Sequence, residues 1–152
     1  MIERSLVILK PDAVQRNLIG GIINRFEKKG LKLVALKFVQ FDEKLLREHY
    51  SHVANEPFFP ELSKFMELTP VVIFILEGLK AIEIVRNIAG IRSTDLGSIR
   101  GDYSISSQRN VIHSSDSLST AEQEIKRFFS DKEIFDYNKD ESKYMIAKSD
   151  EK

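Results

Sequence analysis

The chain alternates between apolar stretches with a strand-like pattern and stretches with a helical pattern. Leu6–Leu9 and Val71–Leu76 are uninterrupted apolar runs, which are typical of strands buried on both faces. The segment 32–41 alternates in part between apolar and polar residues and predicts another strand. A fourth, short strand is predicted to end at His113, which would place this histidine at the edge of a sheet.

Between these strands, apolar residues recur at helical spacing and predict three amphipathic helices. Their apolar faces are Ile19, Ile22, Ile23 and Phe26; Ala81, Ile84, Val85 and Ile88; and Ala121, Ile125, Phe128 and Phe129. Gly30 and Gly90 are predicted to end the first two helices. Ser119 and Glu122 form a capping-box pattern, which predicts that the third helix begins at Ser119.

Two shorter helices are predicted as well. One follows Asp42, a predicted N-cap, and reaches Tyr50, and the other covers 62–68. The segment 91–101 shows no period, and 103–105 is predicted to be extended. The charged tail 131–152 is expected to be mostly irregular, with aromatic residues that tie it down.

The order of the predicted elements indicates the fold class. Four strands with helices between them predict a single α+β domain over 1–152, with helices on one face of a split βαβ sheet. A small doubly wound sheet is the alternative.

Composition and charge limit the kinds of function. The 152 residues have a net charge of zero, so no global basic field attracts nucleic acid or a membrane surface. The chain has no cysteine, which excludes disulfides, thiolate catalysis and cysteine-bound zinc. The first apolar run is too short for a signal peptide or a membrane span, and we expect a cytoplasmic protein.

His113 is the candidate for chemistry. Its imidazole, with an ordinary pKa of about 6.5, would be largely neutral near pH 7 and able to act as a nucleophile. A carboxylate on the other ring nitrogen would fix its tautomer, and Glu124 on the following helix is the nearest candidate in the chain, with Ser117 able to orient it. The alternatives are a solvent-facing histidine and a plain surface glutamate.

Positive side chains at the ends of predicted elements suggest a phosphate ligand. These cations are Lys10, Arg86, Arg92 and Arg100. The sequence has no glycine-rich phosphate-binding motif, so side chains would have to hold the phosphates. Phe58 and Phe59 lie between two prolines, and they are either core residues or a platform for stacking a base.

Three motifs carry a resemblance to a known family. Lys10–Arg16, Ser98–Tyr103 and Asn110–Ser117 resemble, in this order, the motifs of the nucleoside diphosphate kinases, and the resemblance extends over about residues 6–137. It implies a ferredoxin-like fold with a four-stranded antiparallel sheet and helices packed on it. It also implies ping-pong transfer of the γ-phosphate of a nucleoside triphosphate, mainly ATP, to a nucleoside diphosphate through a phosphohistidine at His113.

The same resemblance implies roles for further residues. His113, Glu124 and Lys10 would be catalytic, and Ser115 would lie beside His113. Magnesium would be bound through the nucleotide phosphates, with Asp116 contributing through water, rather than in a protein cage. The chain would form a homo-oligomer, in the first place a hexamer, with a tetramer or a dimer as alternatives. The implied nucleotide-binding residues are Lys10, Tyr50, Phe58, Leu62, Arg86, Arg92, Thr94, Arg100 and Asn110.

The chain departs from the family pattern at two places. Position 13 is alanine where the family usually has glycine. The loop 91–99 is shorter than the usual form and lacks its proline, and Arg92 stands where the family's phosphate-binding threonine is expected. Thr94 could take this role if the gap precedes it. The same loop packs subunits in the family, so its shorter form bears on the assembly as well.

Two further functions compete with the enzyme. A ligand-sensing module could keep the fold without catalysis, and a phosphohistidine carrier could accept phosphate from a protein. The set of Lys10, Arg100, His113 and Glu124 favours the enzyme, because a non-catalytic relative has no chemical need to keep a nucleophile, its carboxylate partner and the cations together.

Overall fold

A four-stranded antiparallel sheet forms the centre of the computed structural model, which describes residues 1–140 and 142–151. Its strands are β1 (Ile2–Leu9), β2 (Lys32–Val39), β3 (Val71–Leu79) and β4 (Ile112–Ser114), in the spatial order β2-β3-β1-β4. The α+β fold class is confirmed, and the doubly wound alternative is wrong.

Helices connect the strands. The α-helices are α1 (Pro11–Gln15), α2 (Ile19–Lys28), α3 (Glu43–His49), α4 (Phe59–Met66), α5 (Ala81–Ala89), α6 (Ile99–Tyr103), α7 (Leu118–Phe128) and α8 (Ser142–Met145), with short 3-10 turns at Asp131–Glu133 and Lys148–Glu151. Among the described residues, no helix has both the length and the apolar character needed to cross a bilayer.

Both faces of the sheet are covered, which corrects the expectation of helices on one face. Along β1, Val7 and Leu9 pack in a core with α1, α2, α5 and α6. Leu6 and Ile8 point the other way and pack in a second core with α3, α4 and α7. Successive side chains of a strand point to opposite faces, so an uninterrupted apolar strand requires cover on both sides.

Several predicted boundaries moved. β1 begins at Ile2 and β3 continues to Leu79, so both strands are longer than their apolar runs. The helix predicted over 62–68 covers Phe59–Met66 instead. It begins earlier than predicted because Pro60 fits in the first helical turn, where no N–H is needed. Asp42 is confirmed as the N-cap of α3, and its side chain accepts a hydrogen bond from the Leu45 amide.

The start of α7 corrects a second prediction. Ser117, not Ser119, is its N-cap, and the Ser117 hydroxyl accepts a hydrogen bond from the Thr120 amide at 3.1 Å. Ser119 and Glu122, the capping-box pattern, therefore both lie inside the helix. Two serines two residues apart both suit an N-cap, and the backbone of Ser117 is the one that is extended there.

Helix α6 was not predicted, and the expectation of an extended segment at 103–105 is wrong at Tyr103, the last residue of that helix. The Ser98 hydroxyl caps α6 by accepting from the Gly101 amide. This helix is only five residues long, too short to show a hydrophobic period. Its position matters because it carries Arg100.

The first part of the tail follows the edge strand β2. The Phe135 amide donates to the Val34 carbonyl at 2.9 Å, and the Tyr137 hydroxyl donates to the Leu33 carbonyl at 2.7 Å. Tyr137 therefore does tie the tail down, as expected. The prediction for the tail at Glu141 and Lys152 lies outside the described residues.

Candidate active site

A cavity of about 590 Å³ opens where β4, α3, α5 and α7 meet. This volume is in the range of small-molecule sites. It contains five of the residues expected at the site together with Asp116. The residues that line it are His49, Tyr50, Ser51, His52, Arg86, Gly90, Ile91, Arg100, His113, Ser114, Asp116, Thr120, Gln123, Glu124 and Arg127.

The geometry of His113 suits a nucleophile. It lies in β4 at the edge of the sheet, opposite Ile8 of β1. Its Nε2 is 2.7 Å from Oε1 of Glu124, and its side chain is 24% exposed, towards the cavity. A carboxylate can only accept a hydrogen bond, so the proton of the ring is on Nε2. Nδ1 therefore keeps its lone pair.

Glu124 is buried rather than exposed, which rules out the plain surface acid. Burial alone would raise the pKa of Glu124, but hydrogen bonds from His113 and Ser115, together with the charge of His113, lower it below its ordinary value. The Ser115 hydroxyl donates to Oε2 at 2.5 Å. Ser115 therefore orients the carboxylate, and the expectation that Ser117 does so is wrong, since the Ser117 hydroxyl caps α7.

Lys10 and Asn110 form a hydrogen-bonded pair. Lys10 Nζ donates to Asn110 Oδ1 at 2.6 Å. Burial and the charge of Arg100 lower the pKa of Lys10 to about 8, against a smaller opposing effect of Asp12. Neither Lys10 nor Asn110 is among the described residues that line the cavity.

The chain entering β4 is strained and held from both sides. Val111 has φ of 61°, which is uncommon for a β-branched residue. Its amide donates to Asp12 Oδ2 at 3.0 Å, and its carbonyl accepts from the Lys10 amide at 2.9 Å. The turn after β1 thus fixes the residue two positions before His113. The sequence analysis did not assign Asp12 this role.

Arg100 and Arg86 bring positive charge to the cavity wall. Arg100 Nη1 donates to the Gly90 carbonyl at 2.5 Å, and Nη2 donates to the Ile112 carbonyl at 2.6 Å. Its Nε is buried without a hydrogen-bond partner among the described residues. Burial and the neighbouring charge of Arg86 lower the pKa of Arg100, although an arginine stays charged in this environment.

His49 and Arg127 both line the cavity, and the sequence analysis assigned neither of them a role. Arg127 Nη1 donates to His49 Nδ1 at 3.2 Å, and the ring centroids of His49 and His113 are 5.1 Å apart. Burial and the charge of His113 lower the pKa of His49 to about 3, so His49 is neutral near pH 7. Arg127 follows Glu124 by three residues on α7, and this helical spacing was the available signal.

Two places could hold a cation. The ligand atoms of His49, His113 and Glu124 lie within 4.8 Å of one another. Arg127 donates to His49 there, and the His113–Glu124 pair is itself hydrogen-bonded, so these groups already have partners. Asp116 offers a carboxylate at the cavity wall, and such hard oxygen atoms suit magnesium.

Besides Lys10 and Asn110, four expected nucleotide-binding residues lie outside the lining of the cavity. Phe58 precedes α4 and is 42% exposed, whereas its neighbour Phe59 is a core residue. Leu62 packs against the second core. Arg92 is 76% exposed and paired with Asp95. Thr94, in the same loop, is exposed.

Comparison with known proteins assigns the family. The profile of the nucleoside diphosphate kinase family matches residues 3–134. A nucleoside diphosphate kinase from Parabacteroides distasonis is 52% identical over 138 residues, covering 89% of this chain and 90% of that protein. Nucleoside diphosphate kinase B from Bos taurus is 46% identical, and the match covers 89% of this chain and 91% of that protein.

Solved structures agree with this assignment. The Halobacterium salinarum nucleoside diphosphate kinase in complex with CDP superposes with a TM-score of 0.91 at 41% identity, covering 97% of this chain and all of that chain. The Borrelia burgdorferi enzyme has a TM-score of 0.86 at 37% identity, covering 95% and 98%. The chain belongs to the nucleoside diphosphate kinase family of phosphotransferases, which act between nucleotides, and the resemblance seen in its motifs is confirmed.

Proposed function

We propose that this chain moves the γ-phosphate of a nucleoside triphosphate, mainly ATP, to a nucleoside diphosphate in two steps through a phosphohistidine at Nδ1 of His113. The observation that carries the proposal is the 2.7 Å contact between His113 Nε2 and Glu124 Oε1. It keeps the proton on Nε2 and directs the free lone pair of Nδ1 to the reaction.

In the first step, the Nδ1 lone pair forms a bond to the γ-phosphorus. The bond from this phosphorus to the β,γ-bridging oxygen breaks, and the nucleoside diphosphate leaves with that electron pair. The ring keeps its proton on Nε2 and becomes cationic, and the Glu124 carboxylate stabilises this charge. In the second step, a β-phosphate oxygen of another nucleoside diphosphate bonds to phosphorus, and the P–N bond returns its electrons to Nδ1.

Positive side chains would neutralise the transferred group. Phosphoryl transfer needs chiefly positioning and charge stabilisation, which lysine and arginine supply. We assign phosphate contacts to Arg86 and Arg100 in the cavity wall, and to Lys10 once its phosphate partner is present. The relative from Borrelia burgdorferi is described as a transition-state mimic with bound vanadate and ADP, which supports phosphoryl transfer at the corresponding site here.

The remaining roles follow the family resemblance. Tyr50 and Asn110 would contact the phosphates or the ribose, Phe58 would stack on the base, and Leu62 would lie beside it. An aromatic face accepts any base, which would make the enzyme broad in substrate. The loop would supply a phosphate contact from Arg92 or Thr94, and the Arg92 side chain is paired with Asp95.

Magnesium is the proposed cofactor, and the cavity fits it. Asp116 lines the wall, and hydrogen bonds from Thr120 and Ser117 lower the pKa of Asp116, so it is an ionised oxygen ligand near neutral pH. We assign the ion to the nucleotide phosphates, with Asp116 contributing through water. When bound, it would supply further neutralisation of phosphate charge. The proposed location is the cytoplasm, where nucleotides are available.

Labelling with γ-labelled ATP tests the proposal. We expect a label on His113 that is labile in acid and stable in base, and that leaves when any nucleoside diphosphate is added. The matched variant His113→Ala should keep the fold and take no label. No label on the native chain would favour a binding module, and a label that nucleotides neither give nor remove would favour a phosphohistidine carrier.

A further inference from the structure

The short loop between α5 and α6 is closed by a single carboxylate. Asp95 Oδ2 accepts hydrogen bonds from the amides of Ile91 and Arg92, each at 2.8 Å. Asp95 Oδ1 is 3.2 Å from Nε of Arg92, and the Asp95 carbonyl accepts from the Ser98 hydroxyl at 2.6 Å. The residue therefore connects the end of α5 with the N-cap of α6.

One of these contacts leads directly to Arg100. The N–H of the peptide unit between Gly90 and Ile91 donates to Asp95 Oδ2. The C=O of the same peptide unit accepts a hydrogen bond from Arg100 Nη1 at 2.5 Å. A peptide unit is planar, so fixing the direction of its N–H also fixes the direction of its C=O. Asp95 therefore sets the orientation of the carbonyl that holds the Arg100 guanidinium.

The other contacts of Arg100 place it next to the reacting residue. Nη2 donates to the carbonyl of Ile112, the residue before His113. Nε is buried and has no hydrogen-bond partner among the described residues. Two backbone carbonyls thus hold the guanidinium in the cavity wall and leave its positive charge for an anion.

We propose that Asp95 is a positioning residue for nucleotide binding, which acts through the Gly90–Ile91 peptide to hold Arg100 against the phosphates. The inference rests on the proposed function and deepens it. The loop 91–99 contains no proline that would restrict its backbone. The Asp95 carboxylate instead orders the loop through its hydrogen bonds to two backbone amides.

The protonation state of Asp95 is consistent with this role. Hydrogen bonds from the amides of Arg92 and Ile91 lower the pKa of Asp95, so it is ionised and accepts both N–H groups near neutral pH. The Arg92 side chain is a minor contributor by comparison. Its guanidinium is largely exposed, and exposed ion pairs contribute little.

The test compares Asp95→Ala with Asp95→Asn, using ADP as the probe for binding and turnover. We expect Asp95→Ala to weaken ADP binding, measured by calorimetry, about tenfold and to raise KM similarly, with kcat changed less than about twofold. Asp95→Asn keeps an amide oxygen that can accept the N–H groups and should recover most of the affinity. Asp131→Ala, which removes an exposed aspartate outside the cavity lining, is the control and should bind ADP like the native chain. Thermal melting confirms that each variant is folded.

A second background separates positioning from general loop structure. In an Arg100→Lys chain, Asp95→Ala should weaken ADP binding no further, because the group it positions is gone. The inference would be overturned if Asp95→Ala bound ADP with native affinity. It would also be overturned if Asp95→Ala weakened ADP binding equally in the native chain and in the Arg100→Lys chain. The proposed function is tested separately, and it fails if the native chain takes no label from ATP. In that case the ADP-binding measurements still decide the role of Asp95.

Discussion

At the scale of single residues, the proposed chemistry depends on the different surroundings of the two ring nitrogens of His113. Nε2 is held by Glu124, which is itself held by the Ser115 hydroxyl. The sequence analysis found His113 and Glu124 because one lies at the end of a strand and the other on the next helix. It could not tell Ser115 from Ser117, since two hydroxyls two residues apart differ only in their final orientation.

Replacing Glu124 tests its effect on the reacting ring. Glu124→Ala should slow phosphoryl transfer about a hundredfold without abolishing the label, because the transition state loses its carboxylate while Nδ1 can still attack. Single-turnover labelling measures this rate. Glu122→Ala on the exposed face of the same helix is the control and should behave like the native chain. Native kinetics in Glu124→Ala would remove Glu124 from the mechanism.

The lowered pKa of Lys10 gives a pH dependence. Its folded value of about 8 lies below its ordinary value of 10.5, so Lys10 is charged below pH 8 and loses its proton above it. We expect the affinity for ADP to fall as pH rises through about 8. The free energy of unfolding should instead rise with pH between about 8 and 10.5. In this range Lys10 is protonated in the unfolded chain and neutral in the folded chain, so a higher pH disfavours unfolding.

Lys10→Arg provides the control for this profile. An arginine stays protonated throughout the range, so the fall in ADP affinity near pH 8 should disappear in the variant. Calorimetric titration at a series of pH values measures both chains. An unchanged profile in Lys10→Arg would mean that another group causes it.

At the scale of elements, strands and amphipathic helices were predictable because their apolar residues recur with a period. Helix α6 was not, because five residues are too few to show one. The contact between Arg127 and His49 joins residues 78 positions apart, and nothing local in either helix indicates it. The start of α7 was displaced by two residues, since more than one serine there can cap a helix.

The N-cap of α7 can be tested directly. Ser117→Ala should lower the free energy of unfolding by about 1 kcal/mol, because the Thr120 amide loses its acceptor. Ser119→Ala is matched to it in chemistry and lies inside the helix, so its effect should be much smaller. Urea unfolding of both variants provides the comparison. If Ser119→Ala lost more unfolding free energy than Ser117→Ala, Ser119 would be the N-cap, as the sequence predicted.

At the scale of the whole molecule, the central strands β1 and β3 join two cores into one fold. Their uninterrupted apolar runs predicted burial on both faces, yet the helices were expected on one side only. The distribution of helices between two faces depends on chain crossings, which hydrophobic period does not encode. The edge strand β2 leaves Leu36 and Phe38 exposed on one face, which is typical of an association surface.

The family resemblance implies a homo-oligomer, in the first place a hexamer, and this expectation can be tested at that surface. Phe38 is 63% exposed, so Phe38→Glu should leave the fold intact while it lowers the mass of the assembly. Light scattering coupled to gel filtration measures both chains. A native chain that is monomeric at all concentrations would refute the assembly, and a native mass in the variant would place the contact elsewhere.

The central claim is that Nδ1 of His113 carries the phosphate while Glu124 holds Nε2. Phosphorus and nitrogen NMR of the labelled, denatured enzyme under basic conditions, with histidine enriched in ¹⁵N, tests this most directly. The account predicts phosphorus bonded to Nδ1 of His113. A bond from phosphorus to Nε2, or to an oxygen of a serine or an acidic residue, would contradict it.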